Sequence, residues 1–461
     1  MKIFPADRKR TRLACALTTV MTAGFAASAL AAGVPATTPQ AWSMYALNPE
    51  HNAVFHSAFP AVSWRFDAPG AAAAKANPLL NRTMIRDLVG FAIGVAVVDD
   101  TVYATNDDGF LYAVDAQTGK LRWRFHAFNQ LMGTPVVAEA GGRKLVFVGA
   151  GNSVFAYSHA VNFGKPDARV IRGNGLSAMY AVDAATGKQV WAYPTAGEDM
   201  PTPVFYKGHV LFGNGDGHVY SLDAATGKLA WKTDIQSFVS MSSATLDPAS
   251  GTLVMGGTQP SRIYGLDATT GKQLWAVTPP GVFSSSAGDG TWAIAGRTAV
   301  GQIETRDNAQ AQAGTSASEE LAIDLATGKI VWSTTLGSGK TPPRNKDAVP
   351  TVVDGVIYTG SPVTHHEYAL DAATGKIRWE RAMPASMKAA PAVVGQFVIQ
   401  PTSSGDIVTL DAASGKIVHT FNRHEGGYGP QNGVVVGHTW FNGTNAGALQ
   451  AIPLNDLGVT L

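Results

Sequence analysis

The chain has 461 residues, of which 45% are hydrophobic and 15% are charged, with a formal net charge of +1, 50 glycines and one cysteine. The balanced charge argues against nucleic acid as a partner, and a single cysteine excludes a disulfide framework. A charged fraction below the roughly 25% of a typical soluble domain suits an acidic extracytoplasmic medium, since few paired carboxylates are lost to protonation. Secreted all-β repeats rich in small residues have the same composition, so both interpretations stay open.

Residues 1–32 have the three parts of an export signal. A basic stretch at 8–12 precedes an apolar run from Leu13 to Leu30, and Ala29-Leu30-Ala31 forms a small-residue cleavage site. No other apolar stretch approaches spanning length, so we expect no transmembrane anchor. Cleavage near residue 32 predicts a periplasmic or secreted protein without cysteine, with 30 basic and 33 acidic residues and hence a charge of about −3.

Seven copies of one thirteen-residue phrase follow along the chain. The first, Leu111 to Trp123, reads LYAVDAQTGKLRW, and the other six end at Trp191, Trp231, Trp275, Trp332, Trp379 and His419. In each copy an aspartate can accept hydrogen bonds from the following backbone N–H groups, and a glycine four residues later permits positive φ. The phrase predicts a β-hairpin whose final tryptophan packs against the neighbouring unit.

The turn aspartates recur every 40 to 68 residues, which brackets the roughly 40–50-residue period of propeller blades. An eighth unit, 433–443 with 449–453, has three strands and lacks a fourth. The segment Val62 to Phe66 has the right pattern to complete it and to join the two chain ends in one sheet. We therefore predict an all-β, eight-bladed propeller over 60–461, with seven blades as the fallback, after an N-terminal extension at 33–59.

The repeated A-x-D-A-x-T-G-K-x-x-W phrase closely resembles the blade signature of pyrroloquinoline-quinone-type (PQQ-like) propellers, over nearly all of residues 60–453. That superfamily includes quinone-dependent dehydrogenases, non-catalytic scaffolds for protein interaction and secreted hydrolases. The repeat phrase, the length, the cleavable signal without a mature cysteine and a late loop insertion most resemble the tetrathionate hydrolases. The resemblance implies hydrolysis of tetrathionate, a small anionic substrate, to thiosulfate, sulfate and sulfur, with no required cofactor.

Two alternatives remain at this point. Quinone-dependent dehydrogenases typically place two adjacent cysteines against the quinone, and this sequence has none after residue 15. PQQ would be a cofactor only under that alternative. A scaffold for protein interaction is the other alternative, although the long loops at 158–178, 303–319 and 336–349 are more typical of a functional face. The sequence leaves open whether the protein is a homodimer.

Binding two sulfonate ends of a polythionate requires cationic groups, and such residues gather in the segments that link consecutive blades. We expect an arc of them around the channel mouth, because blade-to-blade connections share one face of a propeller. Arginine is favoured because its guanidinium can make forked contacts to a sulfonate. The predicted substrate-binding residues are Arg86, Arg344, Lys346, Arg423 and His424, together with Tyr428 and His366.

Water attack on sulfur also needs a general base. Asp307, where a strand gives way to the loop at 303–319, is the first candidate, and Asp289 within Ala287-Gly288-Asp289-Gly290 is the second. Both lie in the region where the resemblance places an acidic residue. His365, His366 and Glu367 are potential metal ligands, but neighbouring strand residues point to opposite faces. We therefore predict no metal site and assign His366 a lining role, while Tyr428, in a glycine-rich segment, could belong to a lid.

Overall fold

The computed structural model describes residues 36–152, 176–283, 286–343 and 347–461. The predicted export signal, the greater part of the loop at 158–178, and the two candidate ligands Arg344 and Lys346 lie outside the described residues. The described chain forms eight sheets, and no helix within these ranges is long and apolar enough to cross a bilayer.

Each blade is an antiparallel sheet whose first strand in the sequence lies innermost, except that the chain ends share blade 8. Blade 1 contains β3 (Phe91–Val98), β4 (Thr101–Asn106), β5 (Phe110–Asp115) and β6 (Leu121–His126). Blade 2 contains β7 (Val136–Ala140), β8 (Arg143–Ala150), β9 (Ser177–Asp183) and β10 (Gln189–Thr195). Blade 3 contains β11 (Val204–Tyr206), β12 (His209–Gly213), β13 (His218–Asp223) and β14 (Leu229–Asp234). Blade 4 contains β15 (Thr245–Asp247), β16 (Thr252–Gly257), β17 (Arg262–Asp267) and β18 (Gln273–Val277).

The second half of the ring repeats this pattern. Blade 5 contains β19 (Ala293–Ala295), β20 (Thr298–Thr305), β21 (Thr315–Asp324) and β22 (Ile330–Lys340). Blade 6 contains β23 (Thr351–Val353), β24 (Val356–Gly360), β25 (His366–Asp371) and β26 (Ile377–Ala382). Blade 7 contains β27 (Ala392–Val394), β28 (Phe397–Pro401), β29 (Ile407–Asp411) and β30 (Ile417–Phe421). Blade 8 contains β1 (Val54–Phe55), β31 (Val434–Val436), β32 (Thr439–Gly443), β33 (Ala448–Pro453) and β2 (Trp64–Asp67).

Helices are short and lie outside the sheets. They are α1 (Ala71–Ala76), α2 (Arg82–Val89), α3 (Ser286–Asp289), α4 (Asn308–Ala313) and a 3₁₀ turn at Leu454–Leu457. Two of them, α1 and α2, connect blade 8 to blade 1, and α3 connects blade 4 to blade 5. The fourth, α4, connects β20 to β21, so the predicted insertion at 303–319 lengthens these two strands and adds a helix at their end.

The repeated phrase forms the hairpin that the sequence predicts. In blade 3, Asp223 Oδ1 accepts hydrogen bonds from the backbone N–H (2.8 Å) and hydroxyl (2.6 Å) of Thr226. Gly227 then adopts φ +70°, and a Cβ built on it would lie 2.7 Å from the ring of Trp191 in blade 2. Trp191 itself donates its indole N–H to the carbonyl of Ala224 at 2.9 Å. Each tryptophan thus covers the turn of the next blade, as the sequence predicts.

Ring closure also follows the sequence prediction. Strand β2 pairs antiparallel with β33, so the segment near Val62 supplies the outer strand of blade 8. Strand β1 adds a fifth, innermost strand that pairs parallel with β31. Both chain ends therefore share one sheet, which leaves no open edge between the first and last blades.

The segment at 39–55 follows the inner strands around the ring, which the sequence analysis did not anticipate. Its backbone pairs in turn with blades 2, 3, 5, 6 and 8, at Val137, Phe205, Ile294, Val352 and Val435, with N···O distances of 2.7 to 2.8 Å. Its His51 is buried and contacts blades 4 and 6 through Thr245 Oγ1 (3.0 Å) and the carbonyl of Pro350 (3.2 Å). The side chain of Asn52 adds blade 7 through the backbone of Val393 (2.9 and 3.1 Å). Trp42, near the start of the segment, is fully buried. One segment therefore ties seven blades, 2 to 8, together.

Candidate functional site

The linker face is the side of the propeller where the chain passes from the outer strand of one blade to the inner strand of the next. Because neighbouring strands are antiparallel, the turns between second and third strands, and the helix α4, also lie on this face. The aspartate-glycine turns lie on the opposite face. All the predicted site residues that are described here belong to the linker face, as expected for blade-to-blade connections.

A series of hydrogen bonds joins successive linkers close to the channel. The backbone N–H of Thr134 donates to Thr202 Oγ1 (2.9 Å), that of Thr202 donates to Ser243 Oγ (3.0 Å), and that of Ser243 donates to Thr291 Oγ1 (3.1 Å). Blades 2 to 5 are thereby held in register around the channel mouth. This rigid rim positions the side chains that project from the linkers.

Asp289 ends α3 inside this rim. The carbonyl of the preceding Gly288 accepts hydrogen bonds from the N–H groups of Met241 (3.1 Å) and Ser242 (3.0 Å) in the previous linker. The following Gly290 lies beside the next linker, since a Cβ built on it would be 3.2 Å from Cβ of the buried Asp347. The Asp289 side chain is half-buried. Two carboxylates thus belong to neighbouring linkers that meet at Gly290.

Asp307 has a different environment. It is exposed and is the N-cap of α4, where its Oδ1 accepts a hydrogen bond from the backbone N–H of Gln310 at 2.8 Å. The Gln310 side chain in turn accepts from the Asp307 N–H at 3.0 Å. This reciprocal pair is a capping box, which stabilises the start of a helix. Asp307, the first candidate base, therefore stabilises the start of α4 in blade 5.

Three of the almost completely buried carboxyl groups have raised pKa values and lie near the linker face. Burial raises the pKa of Asp199 to about 8, despite hydrogen bonds from Thr195 and Asn214. Burial likewise raises the pKa of Glu320 to about 8, and Gln302 and Thr359 offset only part of that effect. Burial alone raises the pKa of Glu367 well above its ordinary value. Neither oxygen of Glu367 has a hydrogen-bond partner among the described residues, and burial keeps both Glu320 and Glu367 protonated at acidic pH.

Arg86 and Arg423, two of the predicted sulfonate ligands, already have partners. The guanidinium of Arg86 donates to Asp87 Oδ1 through Nε (3.0 Å) and Nη2 (2.5 Å). Arg423 Nη2 donates to Ser63 Oγ at 2.9 Å. These contacts tie α2 and the linker between blades 7 and 8 to their surroundings. Neither arginine contributes to the walls of the cavity that lies next to them.

That cavity, called the blade 8 pocket below, has a volume of about 360 Å³. It lies on the linker face between blades 7, 8 and 1. Its lining contains three cationic side chains and several small polar ones, namely Lys75, Arg82, Ile85, Ser403, Ser404, Asn422, His424, Gly426, Gly427, Asn445 and Ala446. Of the predicted site residues, His424 lies in this pocket.

Tyr428 and His366 lie in different environments. Tyr428 is 3% exposed and packs at an angle of 82° against Trp440, so its phenol belongs to a hydrophobic core and is not part of a lid. His366 is half-buried, with Nδ1 2.9 Å from the carbonyl of its neighbour Thr364.

Within the described ranges, no group of three or more His, Cys, Asp or Glu side chains is arranged to hold a metal ion.

The predicted site residues are therefore divided between two sides of the ring. Asp289 and Asp347 lie between blades 4 and 6, whereas Arg86, Arg423 and His424 lie between blades 7 and 1. In a ring of eight blades these regions are on opposite sides of the channel. The positions of Arg344 and Lys346 are outside the described residues, and in the sequence Lys346 directly precedes Asp347.

The sequence analysis missed three groups at these places. Lys75 forms part of the blade 8 pocket, and Asp199 and Glu320 are buried acids, as is Glu367, which the sequence analysis considered only as a potential metal ligand. A capping-box pattern, Asp307-Asn308-Ala309-Gln310, was the available signal that Asp307 starts a helix. No comparable signal marks a strand glutamate as buried, because alternation alone assigns such residues to solvent.

The fold matches those of several solved propellers. BamB from Moraxella catarrhalis superimposes with a TM-score of 0.56 at 17% identity, covering 78% of this chain and 95% of that one. A europium-containing methanol dehydrogenase superimposes with a TM-score of 0.57 at 14% identity, covering 88% and 89%. At these identities the likeness shows the fold alone, an eight-bladed propeller, and carries no function.

Sequence comparison narrows the class. The family profile PQQ_2, described as outer membrane protein assembly factor BamB, matches residues 60–162, 158–344 and 316–456. A tetrathionate hydrolase from Acidithiobacillus ferrooxidans is 31% identical over 91% of this chain and 87% of its own length. A tetrathionate hydrolase from Acidianus ambivalens is 32% identical over 26% of this chain and 22% of its own length. The chain belongs to the tetrathionate hydrolase family of PQQ-like propellers.

Proposed function

We propose that this protein is an exported enzyme that hydrolyses tetrathionate to thiosulfate, sulfate and sulfur. The observation that carries the proposal is the 31% identity to a tetrathionate hydrolase across nearly the whole of both chains. An alignment that covers 91% of this chain includes linkers as well as the repeated blades. The predicted export signal supports a reaction outside the cytoplasm.

The proposed reaction is balanced without any redox partner. Water attacks a sulfonate sulfur, its oxygen forms the fourth S–O bond, and the adjacent S–S bond breaks, with the electron pair leaving on the S₃O₃²⁻ fragment. That fragment then separates into sulfur and thiosulfate. The sum is S₄O₆²⁻ + H₂O → S₂O₃²⁻ + SO₄²⁻ + S + 2H⁺. No quinone, metal or external reductant is needed, so we propose that the enzyme works without an added cofactor.

We propose Asp289 as the general base that takes the proton from the attacking water. Its half-buried position next to the linker that carries Asp347 supports this role. Because Asp307 caps α4, we propose that it supports that helix. Arg344 and Lys346 remain the proposed ligands of the sulfonate groups, as the sequence predicts, because they belong to the linker that follows.

The test is an assay of the purified mature protein with tetrathionate after extensive dialysis against a chelator. We expect thiosulfate and sulfate to appear in equal amounts. Asp289→Asn should lower kcat by at least about a hundredfold, which is the scale of a lost general base. Asp307→Asn is the matched control and should retain kcat, although it weakens α4. Loss of activity in Asp307→Asn with full activity in Asp289→Asn would reverse the assignment, and no turnover by the wild type would remove the proposed function.

A further inference from the structure

Close backbone contacts fix the shape of the blade 8 pocket. Two glycines in the linker between blades 7 and 8 let that linker lie directly on the turn between β28 and β29. A Cβ on Gly427 would be 2.2 Å from the carbonyl oxygen of Ser403, and a Cβ on Gly426, at φ +119°, would be 2.6 Å from Cβ of Ala446. Only glycine permits these approaches, so the backbone at the pocket floor is fixed.

The charge of the lining is predominantly positive. Lys75 comes from α1, Arg82 from the first turn of α2 and His424 from the linker, so three different segments direct cationic residues to one cavity. Lys75 Nζ is 3.9 Å from Asp67, which offsets part of its charge. Within the described part of the chain Arg82 forms no ion pair, in contrast to Arg86 one turn later, whose guanidinium is occupied by Asp87.

One acidic residue contacts the lining of the pocket. Asp406 accepts hydrogen bonds from Ser404 Oγ (2.6 Å) and Asn422 Nδ2 (2.8 Å), so its carboxylate is occupied by these two side chains. No carboxylate belongs to the lining itself, which favours an anion at Arg82, Lys75 and His424. Asn445 Oδ1 accepts the Gly427 N–H at 3.1 Å, which fixes its amide nitrogen as the atom able to donate to a ligand.

From this arrangement we infer that the blade 8 pocket is a second anion site, which binds a divalent tetrahedral oxyanion such as sulfate or thiosulfate. Three cationic side chains and a neutral amide donor match the charge and the acceptor-only oxygens of such an anion. The site lies across the channel from Asp289 and is separate from the proposed chemistry. The inference does not depend on the proposed hydrolysis, because binding alone tests it.

The experiment is isothermal titration calorimetry of the mature protein with sodium sulfate and sodium thiosulfate at about pH 5. Sodium chloride at equal ionic strength controls for screening. Inorganic phosphate is a third titrant, since it is mostly monovalent at this pH and should bind more weakly than sulfate. The variant Lys75→Gln/Arg82→Gln removes two cations from the pocket, and Lys188→Gln/Lys228→Gln removes two exposed lysines from turns on the opposite face.

We expect sulfate and thiosulfate to bind the wild type and the control variant alike, and to bind the pocket variant at least tenfold more weakly. Turnover of tetrathionate, if present, should be unchanged in the pocket variant. Equal affinity in both double variants, or binding no stronger than that of chloride, would overturn the inference. A loss of kcat/KM for tetrathionate in the pocket variant would also overturn it, because the pocket would then be the substrate site.

Discussion

Replacing Glu320 with glutamine should reduce the loss of folding stability as pH rises. Glu320 is completely buried between blades 5 and 6, and burial raises the pKa of its carboxyl from 4.5 to about 8. Below about pH 4 the carboxyl is protonated in both the folded and unfolded states. Between these two pKa values only the unfolded state ionises, so the free energy of unfolding falls as pH rises through this window.

The size of the effect follows from the two pKa values. Each pH unit in the window lowers the free energy of unfolding by about 1.4 kcal/mol, so the loss from Glu320 between its ordinary pKa and pH 7 is about 3 kcal/mol. Glutamine keeps the shape of the side chain and does not titrate. We therefore expect Glu320→Gln to be of similar stability to the wild type at about pH 4 and more stable by up to about 3 kcal/mol at pH 7.

Urea denaturation followed by tryptophan fluorescence at both pH values measures this difference. The control is Glu319→Gln on the same strand, whose carboxylate lies on the other side of the sheet and accepts hydrogen bonds from Thr305 (2.8 Å) and Ser333 (2.9 Å). It should not gain stability between pH 4 and pH 7 relative to the wild type. If Glu320→Gln shows the same dependence on pH as the wild type, the reasoning from burial is refuted.

Two further predictions concern stability. Burial lowers the pKa of His51 to about 3, so acidification from about pH 6 to pH 4 should lower the free energy of unfolding of the wild type through this residue. In the same urea experiment, His51→Gln should lose less stability over this pH range. An equal loss in the two proteins would contradict the buried, neutral state of the ring. Gly227→Ala should lower the free energy of unfolding by more than about 2 kcal/mol, because positive φ and contact with Trp191 act together. Gly208→Ala, at φ +80° with open space around its Cβ position, should lose only about 1 kcal/mol. Equal losses at the two glycines would show that the contact with Trp191 contributes nothing.

The fold was accessible from the sequence because its determinants are local and repeated. Asp223, Gly227 and Trp191 act within one hairpin or between adjacent hairpins, and the same set recurs around the ring. The closing strand near Trp64 could be placed because an incomplete last blade requires a partner. The segment at 39–55 could not be placed, since its contacts with blades 2 to 8 are made mostly by backbone atoms and leave no periodic pattern.

The candidate site was less accessible, for two physical reasons. A carboxylate in a linker has the same sequence appearance whether it caps a helix, as Asp307 does, or lies inside the rim, as Asp289 does. The sequence identified cationic residues near blade 8, but Arg86 and Arg423 form hydrogen bonds with their neighbours. Lys75 lines the pocket from α1, a helix whose sequence has no special pattern. Which of these groups face a cavity depends on contacts between distant parts of the chain.

The central claim is that water cleaves tetrathionate at a sulfonate sulfur on this propeller. Hydrolysis in ¹⁸O-enriched water, with mass spectrometry of both products, tests it most directly. The proposed reaction predicts one solvent oxygen in every sulfate released and none in thiosulfate. Release of unlabelled sulfate, or the absence of sulfate and thiosulfate altogether, would contradict it.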